Sequence, residues 1–339
     1  MHLLNLLFFL LLLTKNCIAM LTNPSSINCM PSKNMNFLIK YGTKEDIYAI
    51  ACGPTITVFN IKTNKIYTKL IAKASQKIPK SHSHTIECGI NSAHNNLLIS
   101  SDAETIKIWN TLNNKCIKTF NFDGATNINN LITDEMIFAT TNVNNAVTLW
   151  HIEQEEPLLD ISIQGKLCLR RSNLFSSLIM NETCIYTGLH TGTIFAIDSR
   201  IGEIIHHLAD NCCDQKISSL YIDNYDLYAG STNNTLVIWD IRKHTCPVKS
   251  STIKDSINPL SPDYCCSAIN NIHIGKYNNE KTIFTVDQYS KLRLINRIHQ
   301  IIKPTEELNC RTYNNCMVIK EIEKKVYIAT ADGIKIVNY

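Results

Sequence analysis

From residue 36 onward the chain alternates short apolar runs with clusters of small polar residues, without the apolar spacing of an amphipathic helix. The stretch LYAGSTNNTLVIWDIR, residues 227–242, shows the unit. Two runs rich in strand-forming side chains flank Ser231-Thr232-Asn233-Asn234. Asparagine tolerates positive φ and bonds its own backbone in turns, so the spacing predicts adjacent antiparallel strands. Asn233 and Asn234 are expected to be exposed at the turn and tolerant of substitution.

The end of that hairpin recurs. All three tryptophans close an apolar strand before a small polar or imidazole side chain: ETIKIWN at Trp109, NAVTLWH at Trp150 and NTLVIWD at Trp239. The same frame returns as TITVFN at Phe59, GTIFAID at Ile197, KLRLIN at Ile295 and GIKIVN at Val337. These seven anchors lie 41 to 56 residues apart, near the period of a repeat of roughly 40–45 residues carrying four short strands. Most anchors have a second strand upstream, as in DIYAIACG, NNLLISS and KVYIATA. The predicted fold is all-β: a seven-bladed β-propeller of four-stranded antiparallel blades, one domain over residues 36–339. A chain of 339 residues is long for one domain, but blades pack only on their neighbours, and no Pro/Gly/Ser linker divides it.

The unit from His84 to Asn110, HTIECGINSAHNNLLISSDAETIKIWN, opens on a histidine, joins its middle strands through an Asp-containing turn and ends on Trp-Asn. In this unit and in its period the chain resembles the WD-repeat propeller family over about residues 36–339, although four of seven units carry Phe, Ile or Val in the tryptophan position. The resemblance implies a buried hydrogen-bonded set of His84, Ser101, Asp102 and Trp109, with Ser100 the alternative serine. A buried imidazole needs such a carboxylate partner, so the set is structural rather than catalytic. The resemblance also implies a non-enzymatic platform that binds other proteins through loops on a rigid frame, monomeric within a complex.

Within that class, Trp239-Asp240-Ile241-Arg242 matches the Trp-Asp-x-Arg ending that often marks substrate receptors docking on the adaptor of cullin-based ubiquitin ligases. Arg242 is then the candidate partner-binding residue, offering a guanidinium to an acidic or carbonyl-lined groove. The preceding turn lacks an acid and Tyr228 fills a place that is normally small, both departures from the longer pattern. A competing reading is a secreted quinoprotein-like enzyme, because TGTIFAIDSRIGEII resembles the repeat of quinone-dependent propellers. No axial cluster of acids for a calcium-quinone pair accompanies it.

Composition narrows the field further. The formal charge is +4, and the basic clusters Lys73 to Lys80 and Arg170-Arg171 are short and separated, unlike a nucleic-acid-binding face. The chain has no Cys-x-x-Cys, His-Glu-x-x-His, phosphate-cradling glycine loop or Gly-x-Ser-x-Gly turn. His82 and His84 share a strand face without identifiable further ligands, so no metal and no cofactor is expected. His206-His207 reads as strand-end surface. The fourteen cysteines lack the regular spacing of a disulfide framework and are expected mostly as free thiols.

The N-terminal MHLLNLLFFLLLLTKNCIAM carries an apolar block from Leu3 to Leu13, too short to span a bilayer, then Cys17-Ile18-Ala19. Residues 1–19 therefore read as a signal peptide for the secretory pathway, with only His2 in the n-region and no span in the mature chain. The competing reading starts a cytoplasmic or nuclear propeller at Met20 or Met35. The seventh unit stops at Tyr339 directly after its third strand. Part of residues 16–34, mostly within the N-terminal segment 20–35, is thus expected to supply the ring-closing outer strand. Pro24 and Pro31 confine it to a short strand at the sheet edge. Residues 249–266, KSSTIKDSINPLSPDYCC, form a candidate interaction loop.

Overall fold

The computed structural model describes residues 35–43, 46–63, 65–70, 86, 88–92, 96–121, 128–134, 136–142, 146–162, 175–209, 215–243, 247–252, 268–287, 291–296, 301–304, 312–320, 323–330 and 333–339. Over these the chain forms 27 strands in seven sheets. Each sheet is a blade built in chain order from consecutive antiparallel hairpins. Blade one comprises Met35–Lys40, Ile47–Cys52, Thr55–Asn60 and Lys65–Leu70. Blades two to six span residues 88–121, 128–162, 175–208, 217–252 and 269–304, and blade seven spans 312–338. The first strands of neighbouring blades pack on one another around the ring, the first on the seventh included, so they are innermost. The molecule is an all-β, seven-bladed β-propeller.

The seven anchors all lie in third strands. Each tryptophan packs back against the preceding blade. Trp109 meets Phe37, Tyr41 and Leu70; Trp150 meets Phe120 and stacks on Phe138 of its own blade at 6.1 Å; Trp239 meets Tyr186 and Leu208. Phe59, Ile197 and Ile295 are fully buried, whereas Val337 is half-buried. The ring is closed by one apolar cluster in which Leu38 and Tyr48 of blade one join Phe284 and Leu294 of blade six and Tyr327 and Tyr339 at the C-terminal end. Close packing of this kind is where the interior stabilisation of a propeller resides.

Among the described residues blade seven has three strands, ending at Gly333–Asn338. The signal-peptide reading and the ring-closing segment 16–34 both lie outside the described residues. So does most of the candidate loop: its start supplies the outer strand Pro247–Thr252 of blade five, and residues 253–267 are not described. Cys88, Cys116 and Cys184 are free thiols. Among the described residues no helix is long and apolar enough to cross a membrane.

The expectation that Asn233 and Asn234 are exposed needs correction. Asn233 is half-buried and Asn234 only 3 % exposed, because the turn folds inward: Asn233 Oδ1 accepts from the Ser231 hydroxyl and the Thr235 N–H. Asn234 does adopt the expected positive φ, 63°. Asn129-Asn130, Asn270-Asn271 and Asn314-Asn315 lie inside first strands.

Burial leaves a titration signature. The Tyr48 phenol is pushed up to about 12, first by burial and then by the carboxylates of Asp46 and Glu323. Burial is also the leading cause that raises Tyr41, Tyr186 and Tyr228. Phenols held neutral in the folded state retain protons that the unfolded chain releases above pH ~10, so stability falls as pH rises through that range. The expected loss is about 1.4 kcal/mol per such phenol per pH unit above 10, read from denaturant midpoints at pH 9 and 11. Tyr48→Phe should flatten the dependence, and a midpoint constant across that range would contradict this assignment.

Candidate functional site: a loop face and the central channel

In blade two the indole N–H of Trp109 donates to Ser100 Oγ at 2.9 Å, so the bonded serine is Ser100 and not Ser101. Register decides this. Ser100 pairs with Lys107 and Ser101 with Ile106, so the two hydroxyls leave opposite faces of the sheet. Ser101 is fully buried, and among the described residues its Oγ has no hydrogen-bond partner. Asp102 caps the turn between the second and third strands, accepting from the Thr105 N–H at 2.6 Å and the Thr105 hydroxyl at 3.0 Å. His84 lies outside the described residues. Blade three repeats the indole bond, with Trp150 donating to Thr140 at 3.2 Å.

Two residues before the anchor, blades two and six place a buried cation. Lys107 donates to the Thr119 hydroxyl at 3.3 Å, and burial lowers its pKa. Arg293 pairs with Asp287 at 2.9 Å, both side chains 2 % exposed. Asp287 occupies the turn position that Asp102 holds in blade two, accepting from the Lys291 N–H at 2.9 Å.

Because the strands are antiparallel, the turns joining first to second strands and third to fourth strands emerge on one face of the ring. On this face Arg242 folds back on its own turn. Its Nε and Nη2 donate to the Asp240 carboxylate at 2.9 and 2.7 Å, and its guanidinium lies 4.5 Å from the centroid of the Tyr225 ring. The Arg242 backbone N–H reaches the same carboxylate at 3.0 Å; the side-chain bonds from Arg242 first, and this backbone bond second, hold Asp240 well below the usual carboxylate range. The neighbouring blade repeats the device: Arg200 Nε and Nη2 bond Asp198 at 3.1 and 2.7 Å and hold it at about 2. Gly202, at φ 70°, closes that turn onto the Asp198 carbonyl.

Sequence reasoning missed Arg200, although Asp198-Ser199-Arg200 after the Ile197 anchor has the spacing of Asp240-Ile241-Arg242. Both arginine side chains remain exposed, 73 % and 60 %, beside exposed Ile201 and Tyr225. A guanidinium has five N–H donors, and the clamp uses two, so three point outward from a fixed plane.

Lysines on this face behave differently. Lys62 of blade one bridges Asp46 at 3.0 Å and Glu323 of blade seven at 3.3 Å. Lys118 of blade two donates to the Ile152 and Gln154 carbonyls of blade three, and Lys281 of blade six pairs with Asp223 of blade five. The lysines tie blades together, whereas the two arginines are held by their own turns.

The central channel is the second feature. The first strands run in matching register against their blades, and one residue of each enters a single ring. Five positions are Ile39, Ile90, Ile132, Ile179 and Val318, all half-buried and lining a cavity of about 540 Å³. The other two, Tyr221 and His273, sit on adjacent blades with their rings edge to face at 5.3 Å. At a bulge near one end, Ser218 and Ser219 donate to the Ile269 carbonyl of the next blade at 2.8 and 2.7 Å. His206 and His207 lie instead in the outer strand of blade four, where His207 packs on Phe195 at 4.8 Å.

No protein-family model and no curated protein matches the chain. Among solved structures it is similar to the computationally designed Ika8 protein, with a TM-score of 0.63 and 16 % identity over 91 % of this chain and 84 % of that one. That likeness establishes the fold alone.

Proposed function

We propose that this protein is a non-enzymatic interaction platform of the WD-repeat kind, and that a partner protein docks on the turns of blades four and five. The observation that carries this reading is the pair of clamped arginines. Each is exposed, oriented by its own aspartate and, among the described residues, used by no neighbouring blade, with Ile201 and Tyr225 beside them. Arginine and tyrosine are the residue types enriched at binding hot spots, and a pre-oriented guanidinium loses little side-chain freedom on binding. Since each charge is already matched by its aspartate, the outward donors suit carbonyl oxygens or a single carboxylate rather than a densely acidic surface.

Affinity capture from the native cell with the Arg200→Ala, Arg242→Ala double variant tests this. Partner recovery should fall roughly tenfold or more, the scale of losing a hot-spot arginine. The melting temperature should hold, because exposed ion pairs contribute little to stability. Undiminished recovery would remove the two arginines from the interface.

A second reading is favoured by Trp239-Asp240-Ile241-Arg242 and by the recurrence of its clamp in blade four. On that reading the chain is a substrate receptor docking on the adaptor of a cullin-based ubiquitin ligase. Co-purification with that adaptor, lost on Arg242→Ala, is its expected sign.

A further inference from the structure

We propose that Asn181 is an N-glycosylation site, its side-chain amide accepting an oligosaccharide from a polyprenyl-diphosphate donor. The acceptor triplet for this modification is Asn-x-Ser/Thr with x other than proline. It occurs as Asn181-Glu182-Thr183 and as Asn233-Asn234-Thr235, whereas Asn23-Pro24-Ser25 is excluded by its proline. The structure separates the two. Asn233 is half-buried, Asn234 is 3 % exposed and Thr235 is fully buried, and the Asn233 carboxamide oxygen is held by the Ser231 hydroxyl and the Thr235 N–H. A sugar on that amide would have to force a buried turn open.

Asn181-Glu182-Thr183 is open. It joins the first two strands of blade four, Phe175–Met180 and Cys184–Leu189, with Glu182 and Thr183 exposed and Asn181 half-buried. Asn181 Oδ1 accepts from the Thr183 N–H at 3.2 Å and from the Cys184 N–H at 2.8 Å. Both bonds are local, so the turn needs no distant partner and is available to the chain before it folds as well as after. They also engage only the oxygen: among the described residues Asn181 Nδ2 has no hydrogen-bond partner. In the transfer Nδ2 bonds to C1 of the first sugar, the C1–O bond breaks with its electron pair going to the departing polyprenyl diphosphate, and Nδ2 gives up one proton.

The inference rests on residues 1–19 acting as the signal that carries the chain into the secretory pathway, where such donors are met, and not on the docking reading above. The two features are neighbours all the same. The Ser199 N–H donates to the Thr183 carbonyl at 3.0 Å, so the glycan stands beside the Arg200 turn and borders the surface proposed for the partner.

The test expresses the full chain in mammalian cells, once with its own residues 1–19 and once with an established cleavable leader in their place. Gel mobility is compared with and without peptide N-glycosidase, and glycopeptides are mapped by mass spectrometry. One glycan, on Asn181, is expected behind either leader, with Asn233 unmodified. Asn181→Gln and Thr183→Ala should each remove the mobility shift entirely, while Thr183→Ser and Arg200→Ala should keep it. Thr183→Ala leaves the acceptor amide in place, so loss of the shift at an unchanged melting temperature separates the triplet from a folding defect. Absence of a glycan behind both leaders would remove Asn181 as an acceptor, and a glycan behind the substitute leader alone would remove residues 1–19 as the delivery signal. Either result overturns the proposal, as would a glycan carried by Asn233 instead.

Discussion

Asp287→Ala should lower the stability of the folded propeller by about 3–5 kcal/mol, the usual cost of removing one partner of a buried ion pair. Asp287 closes the turn after the second strand of blade six and holds Arg293 at 2.9 Å, with 2 % of each side chain exposed. Without the carboxylate, the buried guanidinium loses the anion at 2.9 Å, with the buried Thr285 opposite it on the neighbouring strand, and the Lys291 N–H loses its acceptor as well. Burial of a charge deprived of its carboxylate, rather than the energy of the bond itself, sets this size. The control is therefore the double change Asp287→Val with Arg293→Leu, which removes both charges and should recover most of the loss. Urea midpoints for the three proteins give the comparison. A loss below about 1 kcal/mol for the single variant would mean that the guanidinium reaches water or another anion.

Trp239→Ala should cost about 3–5 kcal/mol, the range for a large aromatic removed from a packed core. The indole is 3 % exposed and fills the space between blades four and five, against Tyr186, Ile194 and Leu208. Trp239→Phe, which keeps an aromatic ring in that space, should cost much less. Because each blade packs only on its neighbours, the cavity is felt locally, and amide exchange should quicken first in blades four and five. A loss under about 1 kcal/mol would mean that the inter-blade cavity collapses without penalty.

The parts of the fold visible in the sequence were those with a local signature. Phe59, Trp109, Trp150, Ile197, Trp239, Ile295 and Val337 could be aligned because a third strand has both faces covered, so a continuous apolar run ends abruptly at a turn. In blade one the second and third strands fall on the DIYAIACG and TITVFN runs.

What stayed hidden depends on pairing between distant segments. Ser100 and Ser101 are adjacent and chemically identical, and only register assigns the Trp109 bond to Ser100. Asn234 reads as a turn residue, and it is one, but its neighbourhood closes over it. The channel ring was invisible because its members share no residue type pattern within their own strands: Ile132 follows Asn129-Asn130, and His273 follows Asn270-Asn271. Those strands are interrupted by bulges, which break the alternation a sequence reading relies on. Arg200 lacked only the tryptophan that drew attention to Arg242.

Amide hydrogen exchange of the protein alone and in complex with its captured partner tests the platform reading most directly. Protection on binding should concentrate in the turns at 199–203, 223–226 and 241–243, and should vanish with the Arg200→Ala, Arg242→Ala variant. Protection confined to the first strands that line the channel, or to the opposite face of the ring, would contradict it.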